Sequence, residues 1–184
     1  MLKRYPPLPE TFILTPEHYP NAGLFLDRDG IINIEKGHHV WQPEQFDINE
    51  SVVPLLQEAR HLGLKCIVVT NQSGIATGKF QHKDVRQLHR LMRDFLRDHG
   101  ISLDDVFYSP HHDGFGRSLS RKPGSLMIER GLARHRIHNS KAWMVGDKER
   151  DIEAAQRVGV GGLLVPANSD LQPVAQFLRN VFAA

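Results

Sequence analysis

The chain has 184 residues, 40% of them hydrophobic and 24% charged, which is the composition of an ordinary soluble protein large enough to bury a core. Its formal net charge of +2 comes from 23 basic and 21 acidic residues, a balance that argues against a nucleic-acid binder. The single cysteine, Cys66, excludes an intramolecular disulfide framework and a cysteine-rich zinc knuckle. No apolar run approaches the roughly 20 residues of a membrane helix, and proline and charge interrupt the N-terminus too often for a signal peptide. We therefore expect a cytoplasmic monomer with no nucleic-acid and no membrane partner.

Residues 1–22 contain five prolines and predict an extended N-terminal arm ahead of a single domain over residues 23–184. Beyond the arm, short apolar segments alternate with segments whose apolar residues recur at helical spacing. The predicted strands are AGLFLD, KCIVVT, DDVFYS, AWMVGD and GGLLV, and the predicted helices are NESVVPLLQEARHLG, HKDVRQLHRLMRDFLRDHG, SLMIERGLARH, DIEAAQRVG and residues 170–182. This alternation predicts an α/β fold, a Rossmann-like three-layer sandwich around a parallel sheet of five or more strands. Residues 33–48 are interpreted as a small flap, too short for a separate cap domain.

Polar and charged residues follow the first four predicted strands at the point where each strand ends. They are Asp27 and Asp29 after the first strand, Thr70, Asn71 and Ser73 after the second, Arg121 and Lys122 at the end of the loop after the third, and Asp147, Lys148 and Asp151 after the fourth. In open parallel sheets, ligands bind beyond the carboxyl ends of the strands. The sequence therefore predicts one site that combines acids, hydroxyls and cations.

The acids of this predicted site require a cation, because carboxylates that converge in a crevice repel one another and raise one another's pKa. All-oxygen ligation by Asp27, Asp29 and Asp147, with room for waters, suits Mg²⁺ better than zinc. For Asp151, a helix cap and a place just behind the metal ligands are both open. Turn chemistry does not explain both Asp27 and Asp29 behind an apolar strand, so we interpret that pair as functional.

The hydroxyls and cations indicate that such a metal would serve a phosphate group. Thr70 and Ser73, with Gly74 allowing close approach of the backbone, suit a phosphate cradle. Lys122 supplies a point charge, and Arg121 supplies a fork for bidentate contact. One carboxylate would then attack phosphorus to give an aspartyl-phosphate, while the other protonates the leaving alkoxide and activates water. The pattern alone leaves open which Asp plays which part.

The segments FLDRDG, VVTNQSGIATGKF, RKPG and MVGDKERD resemble the four signature motifs of the haloacid dehalogenase superfamily of phosphohydrolases, over about residues 23–165. More narrowly, DRDGIIN, TNQSGIATGKF, SPHH and RKP are similar to the D-glycero-D-manno-heptose 1,7-bisphosphate 7-phosphatases, and the histidinol-phosphate phosphatases belong to the same group. The resemblance implies a capless fold and a Mg²⁺-dependent phosphoric monoester hydrolase of carbohydrate metabolism. Its substrate would be a small sugar phosphate, with a heptose bisphosphate of nucleotide-activated heptose biosynthesis favoured.

The resemblance also implies a role for each matching residue. It makes Asp27 the nucleophile and Asp29 the general acid and base, with Thr70 and Lys122 holding the phosphate. It makes Asp147 the Mg²⁺ ligand beside Asp27 and the backbone carbonyl of Asp29. The positions that match substrate contacts are Asn71, Ser73, Arg121 and Lys148, with a looser match for the loop from Glu35 to His38.

The loop before RKP departs from the resembled group, whose members hold a structural zinc there through C-x-H and C-x-C. The matching positions here are Ser109, His111, Ser118 and Ser120. Hydroxyls are poor zinc ligands and one histidine cannot hold the ion, so we predict no structural zinc. Recruitment of His112 and Asp113 to a zinc site is the alternative. We expect packing and hydrogen bonds to order the loop, and we expect the remaining histidines, His89 among them, to be mostly solvated.

Two other classes of protein use the same residue types. A signalling receiver domain places Asp, Thr and Lys around Mg²⁺, but its phosphoacceptor follows a later strand, whereas D-x-D here follows the first. A non-catalytic binding protein descended from a phosphatase is disfavoured because every catalytic residue type is present. Heptose bisphosphate, histidinol phosphate and other small phosphomonoesters all remain candidate substrates at this level.

Overall fold

In a computed structural model, the described residues are 2–6 and 18–182, so residues 7–17 of the predicted arm lie outside them. The strands are β1 (Lys3–Tyr5), β2 (Asn21–Leu26), β3 (Lys65–Asn71), β4 (Asp105–Ser109), β5 (Ile137–Gly146) and β6 (Gly161–Leu164). The helices are α1 (Val52–His61), α2 (His82–Asp98), α3 (Leu126–His135), α4 (Glu149–Gln156) and α5 (Gln172–Phe182). Each predicted strand and helix is present. Within the described ranges, no helix is both long and apolar enough to cross a membrane.

The described strands form one sheet in the order β1-β6-β5-β2-β3-β4. Strands β2 to β6 run parallel, which confirms the predicted α/β fold. The sequence does not predict β1, which begins in the segment expected to be an arm and pairs antiparallel with β6, Lys3 opposite Leu164. Three polar residues carry no alternating pattern, so this strand has no local signal. It covers an edge of β6 that would otherwise be unpaired.

The helices cover both faces of the sheet, as the predicted three-layer sandwich requires. Alternate strand residues face opposite sides, so Leu24 and Leu26 pack with α1, α2 and α5, while Phe25 packs with α3 and α4. All three side chains are fully buried. A strand that is apolar on both faces is typical of a central parallel strand, and its carboxyl end leads directly into Asp27.

The irregular segment over residues 33–48 lies between β2 and α1. An antiparallel bridge joins Asn33 to Ile48 and closes the base of this flap. Within it, Val40 is buried, and the Trp41 ring stacks on Phe80 with the ring centroids 6.4 Å apart. These contacts fix the flap beside the carboxyl ends of the strands.

Candidate active site

A cavity of about 550 Å³ opens at the carboxyl ends of β2, β3 and β5. This volume is in the range of sites for small molecules. The predicted site residues that line it are Asp27, Asp29, Glu35, His38, Thr70, Asn71, Ser73, Arg121, Asp147 and Lys148. Lys122 and Asp151 lie beneath it, with exposed fractions of 1% and 0%. The fold therefore brings the predicted residues to one place.

The bottom of the cavity is a buried ion cluster of Asp27, Lys122, Asp147 and Asp151, which we call the floor. Lys122 Nζ lies 2.9 Å from Asp27 Oδ1 and 2.7 Å from Asp151 Oδ1. It also donates a hydrogen bond to the Val69 carbonyl at 2.8 Å, so three oxygens surround its three hydrogens. Burial alone would lower the pKa of Lys122, but Asp151 and Asp27 raise it, and the ammonium stays charged.

Three carboxylates of the floor meet at one point. One oxygen each from Asp27, Asp147 and Asp151 lies within 4.8 Å of the others. Burial raises the pKa of Asp27 to about 7; Lys122 opposes this shift and the charge of Asp151 adds to it. Burial also raises the pKa of Asp147, whose Oδ1 is buried without a hydrogen-bond partner. One ammonium cannot neutralise three acids, and an all-oxygen set suits a hard divalent cation, so these residues fit Mg²⁺.

Asp151 combines the two roles that the sequence left open. Its Oδ2 accepts a hydrogen bond from the Lys148 backbone at 3.1 Å, which caps the start of α4, while its Oδ1 pairs with Lys122. Gly146 makes this approach possible, because a Cβ at that position would overlap the Asp151 carboxylate. Packing therefore requires glycine at position 146 so that the Asp151 carboxylate can lie beside Asp147.

The Asp29 carboxylate is held by a different set of donors. Arg28 Nη2 donates to Oδ1 at 2.7 Å, Asn33 Nδ2 donates to Oδ1 at 3.1 Å, and Gln72 Nε2 donates to Oδ2 at 2.9 Å. Burial alone would raise the pKa of Asp29, but Arg28 and these hydrogen bonds bring it below the ordinary value. The carboxylate is therefore not one of the three that converge in the floor. The implied metal contact through its backbone carbonyl stays a prediction.

Gln72 and Asn71 organise the end of β3. Gln72, which the sequence did not single out, donates to Thr70 Oγ1 at 3.0 Å as well as to Asp29. The Thr70 hydroxyl thus keeps its own proton for another acceptor. Asn71 Nδ2 donates to the Lys122 carbonyl, and its Oδ1 accepts from the Lys122 backbone, both at 3.0 Å. Its predicted contact with substrate stays a prediction, and its observed contacts hold Lys122 in place.

Cations form the upper edge of the cavity. Lys148 Nζ lies 2.8 Å from Asp147 Oδ2, and its side chain is 46% exposed. Lys79 and Arg150 also line the cavity, although the sequence patterns gave no reason to select them. The flap supplies Glu35, whose backbone is fixed by hydrogen bonds with the side chain of Asn168 at 2.7 and 3.0 Å.

The segment over residues 110–120, called the rim loop below, is fastened to Arg121. Arg121 Nε donates to Asp113 Oδ1 at 2.8 Å, and Nη1 donates to the His111 carbonyl at 3.2 Å. This pair of contacts sets the direction of the guanidinium. The carboxylate of the segment His111-His112-Asp113 therefore contacts an arginine.

Three serine hydroxyls connect the two ends of the rim loop. Ser120 Oγ lies 3.0 Å from Ser109 Oγ and 3.0 Å from Ser118 Oγ, and Ser109 is fully buried. These are the positions at which the resembled group has thiolates. Hydrogen bonds thus join the residues there, as expected for an ordered loop, while the absence of zinc stays a prediction.

One sequence interpretation needs correction. His89 was expected among solvated histidines, but it is 7% exposed, and burial lowers its pKa to about 3, with the Arg28 charge adding to the effect. The His89 ring lies on the side of α2 that faces Tyr108, with the two ring centroids 5.6 Å apart. Helical periodicity does not reveal this contact. The close approach of a phosphate expected at Gly74 stays a prediction, and a Cβ there would also overlap the Phe80 ring. Packing against Phe80 is thus a sufficient reason for this glycine.

Comparisons with known proteins agree with the observed fold. The HAD-hydrolase-like family model matches residues 119–175. The D-glycero-beta-D-manno-heptose-1,7-bisphosphate 7-phosphatase of Helicobacter pylori is 37% identical over 153 residues, covering 83% of this chain and 87% of that protein. The D-glycero-alpha-D-manno-heptose-1,7-bisphosphate 7-phosphatase of Photorhabdus laumondii is 37% identical over 150 residues, covering 78% and 81%.

A solved structure gives the same result in three dimensions. The D,D-heptose 1,7-bisphosphate phosphatase of B. bronchiseptica, solved with magnesium and phosphate, superposes with a TM-score of 0.74 at 28% identity, covering 84% of this chain and 86% of that one. The chain belongs to the haloacid dehalogenase-like phosphatases, in the family of the heptose-bisphosphate phosphatases. It is accordingly a phosphoric monoester hydrolase.

Proposed function

We propose that the protein is a Mg²⁺-dependent phosphomonoesterase that works through an aspartyl-phosphate and removes the 7-phosphate of D-glycero-D-manno-heptose 1,7-bisphosphate. This places it in the biosynthesis of nucleotide-activated heptose, as a cytoplasmic monomer. The observation that carries the proposal is the buried Asp27–Lys122 pair, 2.9 Å long, at the bottom of a cavity that Thr70 and Arg121 also line. Relatives that carry the heptose-bisphosphatase name support the substrate.

In the first step, Asp27 attacks phosphorus and the sugar oxygen leaves. Lys122 fixes the direction of the Asp27 carboxylate, since the two share an ion pair and the Arg28 backbone donates to Asp27 Oδ1 at 2.7 Å. Thr70 has a free hydroxyl proton for a phosphoryl oxygen. Preorganised donors of this kind supply most of the stabilisation in phosphoryl transfer.

Asp29 moves the protons in both steps. The dianionic phosphate raises the pKa of a carboxyl beside it by like-charge repulsion, which favours the protonated form that the leaving sugar oxygen needs. Once the sugar has left, Arg28, Asn33 and Gln72 favour the ionised form, which accepts a proton from the water that attacks the aspartyl-phosphate. One carboxylate thus serves as acid and then as base.

The floor would hold the metal through Asp27, Asp147 and the backbone carbonyl of Asp29, with Asp151 immediately behind them. A bound Mg²⁺ supplies positive charge that neutralises the phosphoryl oxygens. Lys122 separates the buried Asp151 charge from Asp27, because its ammonium contacts both carboxylates. The chain itself therefore limits the repulsion among its acids.

A substrate panel tests the proposal. Purified protein, stripped with a chelator and reconstituted with Mg²⁺, is assayed against the alpha and beta anomers of heptose 1,7-bisphosphate, histidinol phosphate and p-nitrophenyl phosphate. We expect no turnover without the metal and the highest kcat/KM on one heptose bisphosphate anomer. A higher kcat/KM on histidinol phosphate would replace the proposed substrate, and equal rates on all of them would argue against a dedicated heptose enzyme.

A further inference from the structure

Arg150 is a cation that its own helix does not explain. It occupies the second position of α4 (Glu149–Gln156), where the positive end of the helix dipole favours acids and disfavours a guanidinium. Its neighbours Glu149 and Asp151 follow that preference, and Arg150 does not. Residues that break a local rule without a local gain are typical of functional sites.

Arg150 also has no ion-pair or hydrogen-bond partner within the part of the chain that the structure describes, although it lines the cavity. Among the other cations that line the cavity, Lys148 contacts Asp147 and Arg121 contacts Asp113, whereas Lys79, like Arg150, has no carboxylate partner among the described residues. The Arg150 charge acts on both Lys148 and Asp113, so it lies near each of them. An arginine kept beside a cavity without a protein anion is available for an anion of the ligand.

Arg121 is already oriented for the same ligand group. Its Nε donates to Asp113 and its Nη1 to the His111 carbonyl, which leaves Nη2 without a partner among the residues that the structure describes. Its side chain is only 12% exposed, so little conformational freedom remains to be lost when an anion binds. A guanidinium with one free edge and a second guanidinium nearby match a phosphate, which has three terminal oxygens.

We infer that Arg150 is a specificity-determining residue that, beside Arg121, binds the phosphate that is not transferred. The inference rests on the proposed function, because it assigns the second phosphate of a bisphosphate substrate to this side of the cavity. The transferred phosphate lies at Asp27, in the floor. Arg150 therefore selects a bisphosphate over a monophosphate of the same sugar.

The test uses two substrates that differ by one phosphate, heptose 1,7-bisphosphate and heptose 7-phosphate. The measured quantity is the ratio of their kcat/KM values. We expect Arg150→Gln to lower this ratio by roughly 10- to 100-fold, the range for loss of one charge-assisted contact. Arg150→Lys keeps the charge without the fork and gives an intermediate ratio. Lys79→Gln removes a different cation of the same cavity, and we expect it to change the ratio less than about twofold.

Two results would overturn the inference while leaving the phosphatase activity established. One is an unchanged ratio in Arg150→Gln, and the other is a ratio that collapses in Lys79→Gln instead. If the wild type hydrolyses neither heptose phosphate, the proposed substrate fails, and calorimetry with heptose 1-phosphate still tests the subsite. Weaker binding of heptose 1-phosphate by Arg150→Gln than by Lys79→Gln then supports it, and equal affinities contradict it.

Discussion

The floor and the rim loop border one cavity, and the chain holds them in opposite ways. In the floor, Lys122 and Asp151 are buried completely and joined by ion pairs that water does not screen. In the rim loop, Phe115 is 73% exposed, and the Arg121 contact ends on Asp113, an exposed carboxylate. Contacts of the second kind compete with solvent and contribute little to stability.

The difference in burial between the floor and the rim loop suggests different roles for them, the floor in the reaction and the loop in the choice of substrate. In the proposed reaction, the floor contains the groups that act on phosphorus, and their burial makes each charge depend on its partner. The rim loop orients Arg121, which in the proposed reaction meets the rest of the substrate, so a change in the loop leaves the groups at phosphorus in place. We therefore expect floor substitutions to alter turnover and stability strongly, and rim substitutions to alter them mildly.

The largest expected effect is that of Asp27→Asn. The amide cannot act as the nucleophile, so we expect turnover of p-nitrophenyl phosphate to fall by about 10⁴-fold or more. Asp113→Asn changes an acid of the rim loop in the same way and is expected to lose less than about tenfold. Circular dichroism shows whether both variants keep the fold. Comparable losses in the two variants would erase the distinction between floor and rim.

Lys122→Met tests how much a buried cation contributes to stability compared with an exposed one. The substitution leaves Asp27 and Asp151 buried without their ammonium, and the loss of one partner from a buried ion pair costs about 3–5 kcal/mol. Lys148→Met removes a lysine whose side chain is 46% exposed, and we expect it to cost less than about 1 kcal/mol. Urea unfolding measures both free energies. A small change for Lys122→Met would show that the floor tolerates an unbalanced charge.

The burial of His89 makes the free energy of unfolding depend on pH. Its pKa in the folded protein is about 3, against an ordinary value of 6.5, so the unfolded chain binds the proton more readily over this interval. The stability that comes from burying neutral His89 is fully present above pH 6.5 and is lost as the pH falls from 6.5 towards 3. Between pH 7 and pH 5 this amounts to about 2 kcal/mol in the free energy of unfolding.

The variant His89→Leu isolates that contribution from those of the carboxylates. We expect it to lose less stability than the wild type between pH 7 and pH 5, as urea unfolding would measure. His82→Gln, which changes an exposed histidine that also contacts Tyr108, is the matched control for the loss of a histidine contact with that ring. Equal slopes of unfolding free energy against pH for the wild type and His89→Leu would contradict this prediction. They would show that His89 binds its proton equally well in the folded and the unfolded chain.

The smallest expected effect belongs to the serines of the rim loop. Ser120→Ala removes the hydroxyl shared by Ser109 and Ser118, and we expect a loss of about 1 kcal/mol in the free energy of unfolding. Ser118→Ala breaks one of the two contacts and should cost less. Zinc present at one ion per chain in the purified protein would contradict this account, because a metal would then hold the loop.

The parallel sheet and the positions of Asp27, Thr70 and Asp147 are predictable because each follows an apolar strand that carries its own signal. The burial of His89 and the pairing of β1 are not, since both depend on which distant surface packs against them. Asp151 lies between these cases: the sequence offers a cap or a metal neighbour, and only the fold shows that Gly146 lets it be both.

Trapping the covalent intermediate tests the proposed reaction most directly. The protein is incubated briefly with heptose 1,7-bisphosphate and Mg²⁺, quenched in acid and reduced with borohydride, which converts an aspartyl-phosphate to homoserine. Peptide mass spectrometry then locates the change. We expect homoserine at residue 27, and none in the Asp27→Asn variant. Modification at Asp29 or Asp147 instead, or rapid turnover with no modified residue, would contradict the proposed reaction.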